Sequence, residues 1–456
     1  MLLDAGAVFP AGNAGDLISE TALRFFKGGT SHGRFLTSKS IRDVLDDGPG
    51  AVVKILLSHL PDAKAFDEGY GMLLQMAAIA GDREYIELLL ERQVDVNASG
   101  QYYGSALQAA ARIGNVDIVQ LLLDAGADVN LLGGAHSTAL RAACLGGHAD
   151  VVDILIKHGA DIELHLPEEE EEDNDDDENS LPALHLAVKS RSHAVIKLLL
   201  AAGAAVSVDP AAHPPALILA CDSGDDRIVQ LLLAAGADAN ASRKKRSYFA
   251  RIVDEEASPL HMACARGHSS LVRLLLDYGA DTEKEVETSG TPLLVAARKG
   301  NLAIVRLLLE AGANVNYHSD RRTPLSIAAY NGHLEEVQEL LIAGAIIADP
   351  PHIPNALASA CQGGHRSIVE FILEELSGTD KEESARIDAL SASCSSRDDE
   401  TCQLLLLDGL HGSPAILRKL CAAGPVSAVR MLLETGVDVN SDDGEDGHPL
   451  NVAAFF

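Results

Sequence analysis

Residues 290–316 read GTPLLVAARKGNLAIVRLLLEAGANVN, and this stretch decides the fold. The same pattern at 103–130 reads YGSALQAAARIGNVDIVQLLLDAGADVN. Apolar residues fall at the i, i+3 and i+4 positions of two short helices, and glycine ends each run. The pattern predicts a first helix within 105–114 and a second helix within 116–126. Neither helix can bury its apolar face alone, so neighbouring helix pairs must stack on one another.

The leucine that follows the TP dipeptide of 290–316 recurs along most of the chain, usually after 32 or 33 residues. Its positions are Leu74, Leu107, Leu140, Leu184, Leu217, Leu260, Leu293, Leu325, Leu357, Leu390, Leu417 and Leu450. Four residues later stands a small or β-branched residue, and a leucine-rich triplet follows in the second helix. A fixed period of this length is typical of a repeat array.

The period and the motif together closely resemble the ankyrin repeat, over about residues 38–456. The resemblance implies an all-α ankyrin-repeat solenoid of stacked helix-turn-helix units with short β-hairpin fingers. It also implies that the histidines of the TPLH-like turns (His185, His261) and those after the central glycine (His148, His268, His333, His365) make turn and inter-repeat hydrogen bonds. Residues 103–130 are also similar to the large arrays of fungal ankyrin proteins, which often follow an NTPase domain of the NACHT type.

The domain organisation expected from the spacing is one continuous array with imperfect ends. It comprises a partial repeat remnant and irregular cap at 1–37, then an array at 38–456 made of a degenerate unit at 38–66, about eleven units at 67–440 and half a unit at 441–456. MLLDAGAVFP at the start matches the end of a repeat, and HPLNVAAFF at 448–456 matches a first helix alone. The sequence therefore predicts a segment of a longer array.

Two insertions interrupt the period. The acidic insertion, 166–180, contains EEEEEDNDDDE, and the basic insertion, 242–258, contains Arg243, Lys244, Lys245 and Arg246. A run of carboxylates repels itself and buries no apolar surface, so it predicts a solvated loop. One interpretation makes both insertions tolerated surface loops. The other makes the four basic residues a nuclear-import or partner patch that the acidic insertion masks.

Charge and composition exclude several functional classes. The formal net charge is −31, which disfavours non-specific binding to nucleic acid or to an anionic membrane. No apolar run is long enough to span a bilayer, and the first residues lack the basic region of a signal peptide. Seven cysteines do not suggest a disulfide framework. We expect a monomer in the cytoplasm or the nucleus.

The residues that could carry chemistry have simpler structural interpretations. Six cysteines share the small-residue column, where cysteine acts as a small apolar residue: Cys144, Cys221, Cys264, Cys361, Cys394 and Cys421. Cys402 takes the place of a core valine. Residues 29–33 match the GxSxG hydrolase motif around Ser31, but no strand is expected before them. We expect no catalytic residue, no metal and no cofactor, and hence no enzyme.

In ankyrin repeats, a partner contacts the finger tips and the exposed first-helix residues, notably the two that follow the small-residue column. Those helix positions here hold Ile79, Arg112, Ile113, Leu145, Lys189, Asp222, Arg266, Arg298, Lys299, Tyr330, Asn331 and Gln362. The predicted partner-binding set is Arg266, Arg298, Lys299, Tyr317, Arg321, Arg322, Tyr330 and Asn331. Arginine and tyrosine are favoured interface anchors, although surface charges are also commonly just solvated.

Two functions are compatible with this pattern. The first is a non-enzymatic protein–protein interaction scaffold whose concave surface binds a protein partner through an acidic peptide or loop. The second is the regulatory or sensor arm of a larger multidomain enzyme, such as a NACHT-type NTPase, whose catalytic part lies outside this chain.

Overall fold

The computed structural model describes residues 67–99, 103–134, 137–164, 181–207, 215–242, 257–286, 289–318, 322–347, 355–377, 382–396, 399–407, 417, 421, 426–434, 436, 437 and 439. The expectations for residues 1–66 and 441–456, for the acidic insertion and for residues 243–256 fall outside these ranges. The chain divides into two compact units. The N-terminal unit comprises Met1–Asp238 with Lys244–Phe249, and the C-terminal unit comprises Ala239–Arg243 with Ala250–Phe456.

The described part of the N-terminal unit is a series of helix pairs. The helices are α1 (Asp67–Ala80), α2 (Arg83–Glu91), α3 (Ala106–Ile113), α4 (Val116–Asp124), α5 (Ala139–Gly146), α6 (Ala149–Lys157), α7 (Ala183–Lys189), α8 (His193–Ala201), α9 (Ala216–Ser223) and α10 (Asp226–Ala234). Each odd-numbered helix packs on the even-numbered helix that follows it and on the next odd-numbered helix. This is the predicted stacking of first and second helices.

The C-terminal unit continues the same order. Its described helices are α11 (Pro259–Arg266), α12 (Ser269–Asp277), α13 (Pro292–Lys299), α14 (Leu302–Glu310), α15 (Pro324–Asn331), α16 (Leu334–Ile342), α17 (Ala356–Gly363), α18 (Arg366–Leu376), α19 (Glu382–Ser396), α20 (Asp399–Leu407) and α21 (Val426–Glu434). From α18 onward the helix lengths depart from the regular pattern, with 11 residues in α18 and 15 in α19.

Local sequence explains where these helices begin and end. The Thr323 hydroxyl accepts a hydrogen bond from the Ser326 amide, and the Ser326 hydroxyl in turn accepts one from the Thr323 amide. This reciprocal pair is a capping box, and Pro324 fits the first turn because its missing N–H would have no helical partner. Gly332 ends α15 in the left-handed conformation, at φ 85°. A side chain at that position would be strained.

The core follows the predicted columns. In the second helix α14, Ile304, Val305 and Leu308 are fully buried, and in the first helix α13 so are Ala296 and Ala297. Small residues let the first helices approach closely, while the branched residues of the second helices fill the space between layers. The tight packing therefore rests on two different residue types in two different helices.

The cysteines take part in this packing. Those at 144, 221, 264, 361 and 402 are buried free thiols, as the sequence predicts, and Cys421 is half-buried. Burial raises the pKa of the Cys144, Cys221 and Cys264 thiols well above the ordinary value. A thiol that cannot readily ionise is a poor nucleophile and a poor metal ligand. These residues act as small apolar side chains.

A side-chain ladder links the turns of successive repeats. The Oδ1 atom of Asn316 accepts a hydrogen bond from the Ile346 amide at 2.9 Å, and its Nδ2 donates to the Gly344 carbonyl at 3.1 Å. Asn130 and Asn240 make the same two bonds to the repeats that follow them. These bonds fix the position of each turn relative to the turn of the following repeat.

Glutamate replaces asparagine in two rungs of the ladder. The Glu283 carboxylate accepts a hydrogen bond from the Asn314 amide at 2.8 Å, and Glu163 accepts one from Ala205 at the same distance. A carboxylate has no donor for the glycine carbonyl that asparagine reaches. Of the predicted β-hairpin fingers, the described residues include an isolated antiparallel bridge between Val286 and Gly290.

Candidate partner-binding surface

Five residues of the predicted partner-binding set lie at the C-terminal ends of successive first helices. We name Arg266, Arg298, Lys299, Tyr330 and Asn331 the helix-end row. Arg266 ends α11, Arg298 and Lys299 end α13, and Tyr330 and Asn331 end α15. The helix α13 packs against both α11 and α15 within the C-terminal unit. The row therefore spans three adjacent layers of the stack.

The histidine of the following repeat holds each of two helix ends. The Nε2 of His333 donates to the carbonyl oxygen of Arg298 at 3.2 Å, and the Nε2 of His365 donates to that of Tyr330 at 3.0 Å. The rings sit close to the glycines that end α13 and α15. A β-carbon on Gly300 would come within 2.5 Å of the His333 ring, and one on Gly332 equally close to the His365 ring. These contacts hold the backbone at the C-terminal ends of α13 and α15, from which the side chains of the row extend.

The row presents cationic and aromatic groups to solvent. Arg266 and Lys299 are exposed, Arg298 is half-buried, and Tyr330 is 49% exposed. Within the described residues, neither Arg298 nor Lys299 forms an ion pair. By contrast, Arg306 on the second helix α14 pairs with Glu339 at 2.8 Å. Arg298 and Lys299 are thus available to a ligand, whereas Arg306 is already compensated.

Asn331 is partly committed to its own helix. Its Nδ2 donates to the carbonyl oxygen of Ile327, four residues earlier, at 2.8 Å. This bond leaves the Oδ1 acceptor and one N–H of the amide for other contacts. Asn331 can therefore add hydrogen bonding to the row but no charge.

The remaining predicted residues lie apart from the row. Tyr317 is half-buried and Arg322 is exposed, and both precede α15 at its N-terminal end. The eight residues of α15 separate that end from Tyr330 by about 12 Å at 1.5 Å per residue. Arg321 and the basic residues Arg243, Lys244, Lys245 and Arg246 lie outside the described residues. The structure thus divides the predicted set into a helix-end row and a separate finger group.

The corresponding positions of the N-terminal unit are chemically mixed. Ile113 is 37% exposed, Leu145 and Arg112 are half-buried, and Lys189 and Asp222 are exposed. The prediction was wrong at Ile79, which is only 2% exposed. An isoleucine gains from burial at this position, where an arginine or lysine would have to desolvate its charge.

The sequence reading missed one exposed apolar pair. Ile342 is 82% exposed at the end of α16, and Ile346 is 44% exposed in the turn that follows. Both stand in columns where many other repeats carry an acidic residue, as in Asp124 and Asp128. A comparison of these two columns across the repeats would have revealed the pair.

Neither a metal site nor a membrane span is found in the part of the chain that the structure describes. No group of three or more histidine, cysteine or acidic side chains there could hold a metal ion. No described helix is long and apolar enough to cross a bilayer.

The family comparison covers most of the described repeats. A family model described as "Ankyrin repeats (3 copies)" matches at residues 74–165, 107–210, 162–243, 217–319 and 315–385. The chain belongs to the ankyrin repeat family. This confirms the all-α stack of ankyrin repeats that the sequence predicts. Ankyrin repeats are generally protein-interaction modules and typically not catalytic.

Solved ankyrin repeat domains also resemble this chain. The human ASB11 ankyrin repeat domain matches with 25% identity and a TM-score of 0.43, over 54% of this chain and 99% of that domain. The ankyrin repeat domain of Bcl-3, a member of the IkappaB protein family, matches with 27% identity and a TM-score of 0.42, over 52% of this chain and 96% of that domain. No curated protein sequence matches the chain.

Proposed function

We propose that this chain is a non-enzymatic protein–protein interaction scaffold, and that its helix-end row binds an acidic, extended segment of a partner protein. The observation that carries the proposal is the pair of uncompensated cations Arg298 and Lys299 beside the exposed Tyr330. They occupy adjacent layers of a chain whose formal net charge is −31. A local cationic surface on such a chain steers acidic groups toward one place.

The simpler role for these cations is intrahelical. Arg298 and Lys299 stand in the last turn of α13, where a positive charge offsets the negative end of the helix dipole. That effect is worth about 0.3–1 kcal/mol per charge at an exposed site. However, one cation per helix end would suffice, and α15 and α17 have none in their last turns. Helix stability alone therefore gives no reason for two adjacent cations on α13.

A charge-reversal experiment tests the proposal. The probe is a fluorescein-labelled peptide of 15 glutamates, mixed with the full chain in a stopped-flow instrument at low salt. Arg298→Glu and Lys299→Glu should each slow association several-fold, because rim charges act mainly on the association rate.

Arg273→Glu is the matched control. Arg273 is an exposed arginine on the second helix α12 of the same unit, away from the row. This substitution changes the net charge equally and should leave the association rate close to wild type. Equal rates for the wild type, Arg298→Glu and Lys299→Glu would refute the proposal.

A further inference from the structure

Two isoleucines of one repeat stand where the preceding repeats carry charged, polar or small residues. Ile342 is the last residue of α16 and is 82% exposed, and Ile346 in the turn after it is 44% exposed. The second helices from α2 to α14 end in Glu91, Asp124, Lys157, Ala201, Ala234, Asp277 and Glu310. In those same repeats the column of Ile346 holds Asp95, Asp128, Asp161, Ala205, Asp238, Asp281 and Asn314. This repeat therefore exposes two large apolar side chains in columns where the repeats before it expose none.

The turn that carries the isoleucine pair is already held in place. The Ile346 amide donates to Asn316 Oδ1 at 2.9 Å, and the Gly344 carbonyl accepts from Asn316 Nδ2 at 3.1 Å. A ligand can therefore cover the pair without first ordering the turn, which lowers the entropic cost of binding. The two isoleucines are four residues apart, so their Cα atoms lie within about 14 Å of each other. One short segment of a partner can cover both.

Carboxylates flank the isoleucine pair in the layers on both sides. Glu310, Ile342 and Glu374 are the ninth residues of α14, α16 and α18. The helix α16 packs on both α14 and α18, and packed helices stand about 8–10 Å apart. Ile342 thus has one glutamate about one helix spacing away on each side. Glu310, Glu374 and the adjacent Glu375 are exposed, and none of them forms an ion pair with another described residue.

The cations of these second helices do not neutralise that charge. Arg306 of α14 pairs with Glu339 at 2.8 Å, and Arg366 of α18 pairs with Glu370 at the same distance. The last turns of α14, α16 and α18 contain no basic residue. Each helix C-terminus adds about half a negative charge. The isoleucine pair therefore lies within a negatively charged surface.

This charge distinguishes between the possible occupants of the apolar surface. A second copy of the chain, docked pair against pair, would bring its own Glu310 and Glu374 to the same carboxylates, and each copy has a formal net charge of −31. An anionic lipid surface would be repelled in the same way. A basic segment with apolar residues at its centre matches both the isoleucines and the carboxylates around them.

We propose that Ile342 and Ile346 form a docking surface for a basic segment of a partner protein, in which apolar side chains are flanked on both sides by lysine or arginine. The apolar side chains pack on the isoleucine pair. The flanking cations pair with Glu310 on one side and with Glu374 and Glu375 on the other. The surface belongs to the second helices, whereas the helix-end row belongs to the first helices and takes a ligand of the opposite charge.

Two isomeric peptides test whether the apolar residues must lie between the cations. Both are capped, joined to fluorescein through the same Ser-Gly linker, and contain lysine, leucine and serine in equal amounts. The apolar-centred peptide is Lys-Lys-Ser-Leu-Leu-Ser-Lys-Lys, and its isomer is Leu-Ser-Lys-Lys-Lys-Lys-Ser-Leu. Fluorescence anisotropy with the full chain at about 0.15 M salt limits long-range attraction, since the Debye length is then about 8 Å. The apolar-centred peptide should bind about fivefold more tightly, because only it buries leucine on the isoleucines while its lysines meet the carboxylates.

The variant Ile342→Asp separates apolar contact from charge attraction. It introduces the residue that Asp124 and Asp277 provide in the same column, at an exposed position where it leaves the core intact. Because it adds a negative charge, binding by charge alone would become tighter. We expect instead that Ile342→Asp weakens the apolar-centred peptide about fivefold and removes the difference between the isomers.

A second pair of variants tests the flanking carboxylates. Glu310→Lys should weaken the apolar-centred peptide about threefold. Asp124→Lys is the matched control, because Asp124 occupies the same column in the N-terminal unit and the change in net charge is equal. This control should bind the peptide as the wild type does.

Several results would overturn the proposal. They are equal binding of the two isomers to the wild type, unchanged or tighter binding of the apolar-centred peptide by Ile342→Asp, and equal losses from Glu310→Lys and Asp124→Lys. Sedimentation of the chain without peptide tests the second copy as occupant, and a dimer that Ile342→Asp dissociates would also overturn it. The 15-glutamate peptide should associate with Ile342→Asp at close to the wild-type rate, so failure of this proposal leaves the helix-end row untouched.

Discussion

The two compact units place different side chains on the same backbone positions. In the N-terminal unit, α3 ends with Arg112 and Ile113, and in the C-terminal unit α13 ends with Arg298 and Lys299. The backbone is held alike in both, since the next histidine donates to the Arg112 carbonyl at 3.1 Å and to the Arg298 carbonyl at 3.2 Å. The terminal glycines have φ values of 85° and 69°.

The two units share a backbone conformation and differ in side chains, so the residues that maintain the fold can be distinguished from those that define the surface. The glycine, the histidine and the small-residue column recur because each repeat must stack on the next. The residues after that column are not required for this stacking in most repeats, and their charge differs from repeat to repeat. The cationic layers of the C-terminal unit are therefore a property of its sequence and not of the repeat fold. The comparison between the two units is tested by measuring whether their cores are equally stable and whether their surfaces bind the same ligand.

The largest expected effect concerns the shared scaffold. Leu122 and Leu308 occupy the same column in the two units, and each is fully buried. Replacing either by alanine should lower the free energy of unfolding by about 2–5 kcal/mol, because a cavity replaces a packed side chain. Urea denaturation followed by circular dichroism measures the change. A loss below about 1 kcal/mol for one of them would show that the two units are not equivalently packed.

A smaller effect concerns the turn ladder. Asn316→Ala removes two inter-repeat hydrogen bonds, and Glu283→Ala removes one. Each exposed bond contributes about 0.5–1.5 kcal/mol, so the asparagine variant should be destabilised more. Asn316→Asp keeps the acceptor and loses the donor, and it should fall between wild type and Asn316→Ala in urea denaturation. Equal stability of Asn316→Ala and Asn316→Asp would mean that the acceptor bond carries no weight.

The smallest expected effect is a pH dependence within the N-terminal unit. Partial burial of Asp225 tends to raise its pKa, but hydrogen bonds from His193 and from the Ile228 and Arg227 amides outweigh it and hold the pKa below the ordinary 3.8. His193 lies 3.0 Å from the carboxylate. A lowered carboxyl pKa stabilises the fold above the unfolded-state pKa, and this stability is lost as pH falls through the folded-state pKa.

Asp225→Asn isolates that contribution, because asparagine can still cap α10. The variant should be less stable than wild type by under about 1 kcal/mol at pH 6, since the pair is partly exposed. The difference should shrink below pH 4. Thermal denaturation of both proteins between pH 3 and 6 measures it. A difference in stability that stays constant across that pH range would show that ionisation of the Asp225 carboxyl group is not its cause.

Most of the scaffold could be predicted from the sequence, because its requirements are local. The leucine period, the small-residue column and the turn glycines each reflect a contact that every repeat must make. The inter-repeat bonds of His148, His333 and His365 also follow from their column. The glutamates of the ladder were not predicted. A glutamate is longer than the asparagine it replaces, and it reaches the backbone amide of the next repeat only because of the geometry of the turn.

The surface was predicted less completely. The cationic residues on α11 and α13 follow from the column next to the small residues. Burial of Ile79 depends on neighbours that its own repeat does not specify. Tyr317 and Arg322 are separated from the row because they precede α15 at its N-terminal end, whereas the row lies at the C-terminal ends of the first helices. Residue type alone does not show this separation.

The most direct test of the central claim reverses two charges in each unit and compares the affinity for the 15-glutamate peptide. Arg298→Glu with Lys299→Glu changes the C-terminal unit, and Arg112→Glu with Lys189→Glu makes the same change of net charge in the N-terminal unit. The first pair should raise the Kd about tenfold, and the second should alter it less than twofold. An equal loss from both pairs, or no loss from the first, would contradict recognition at the helix-end row.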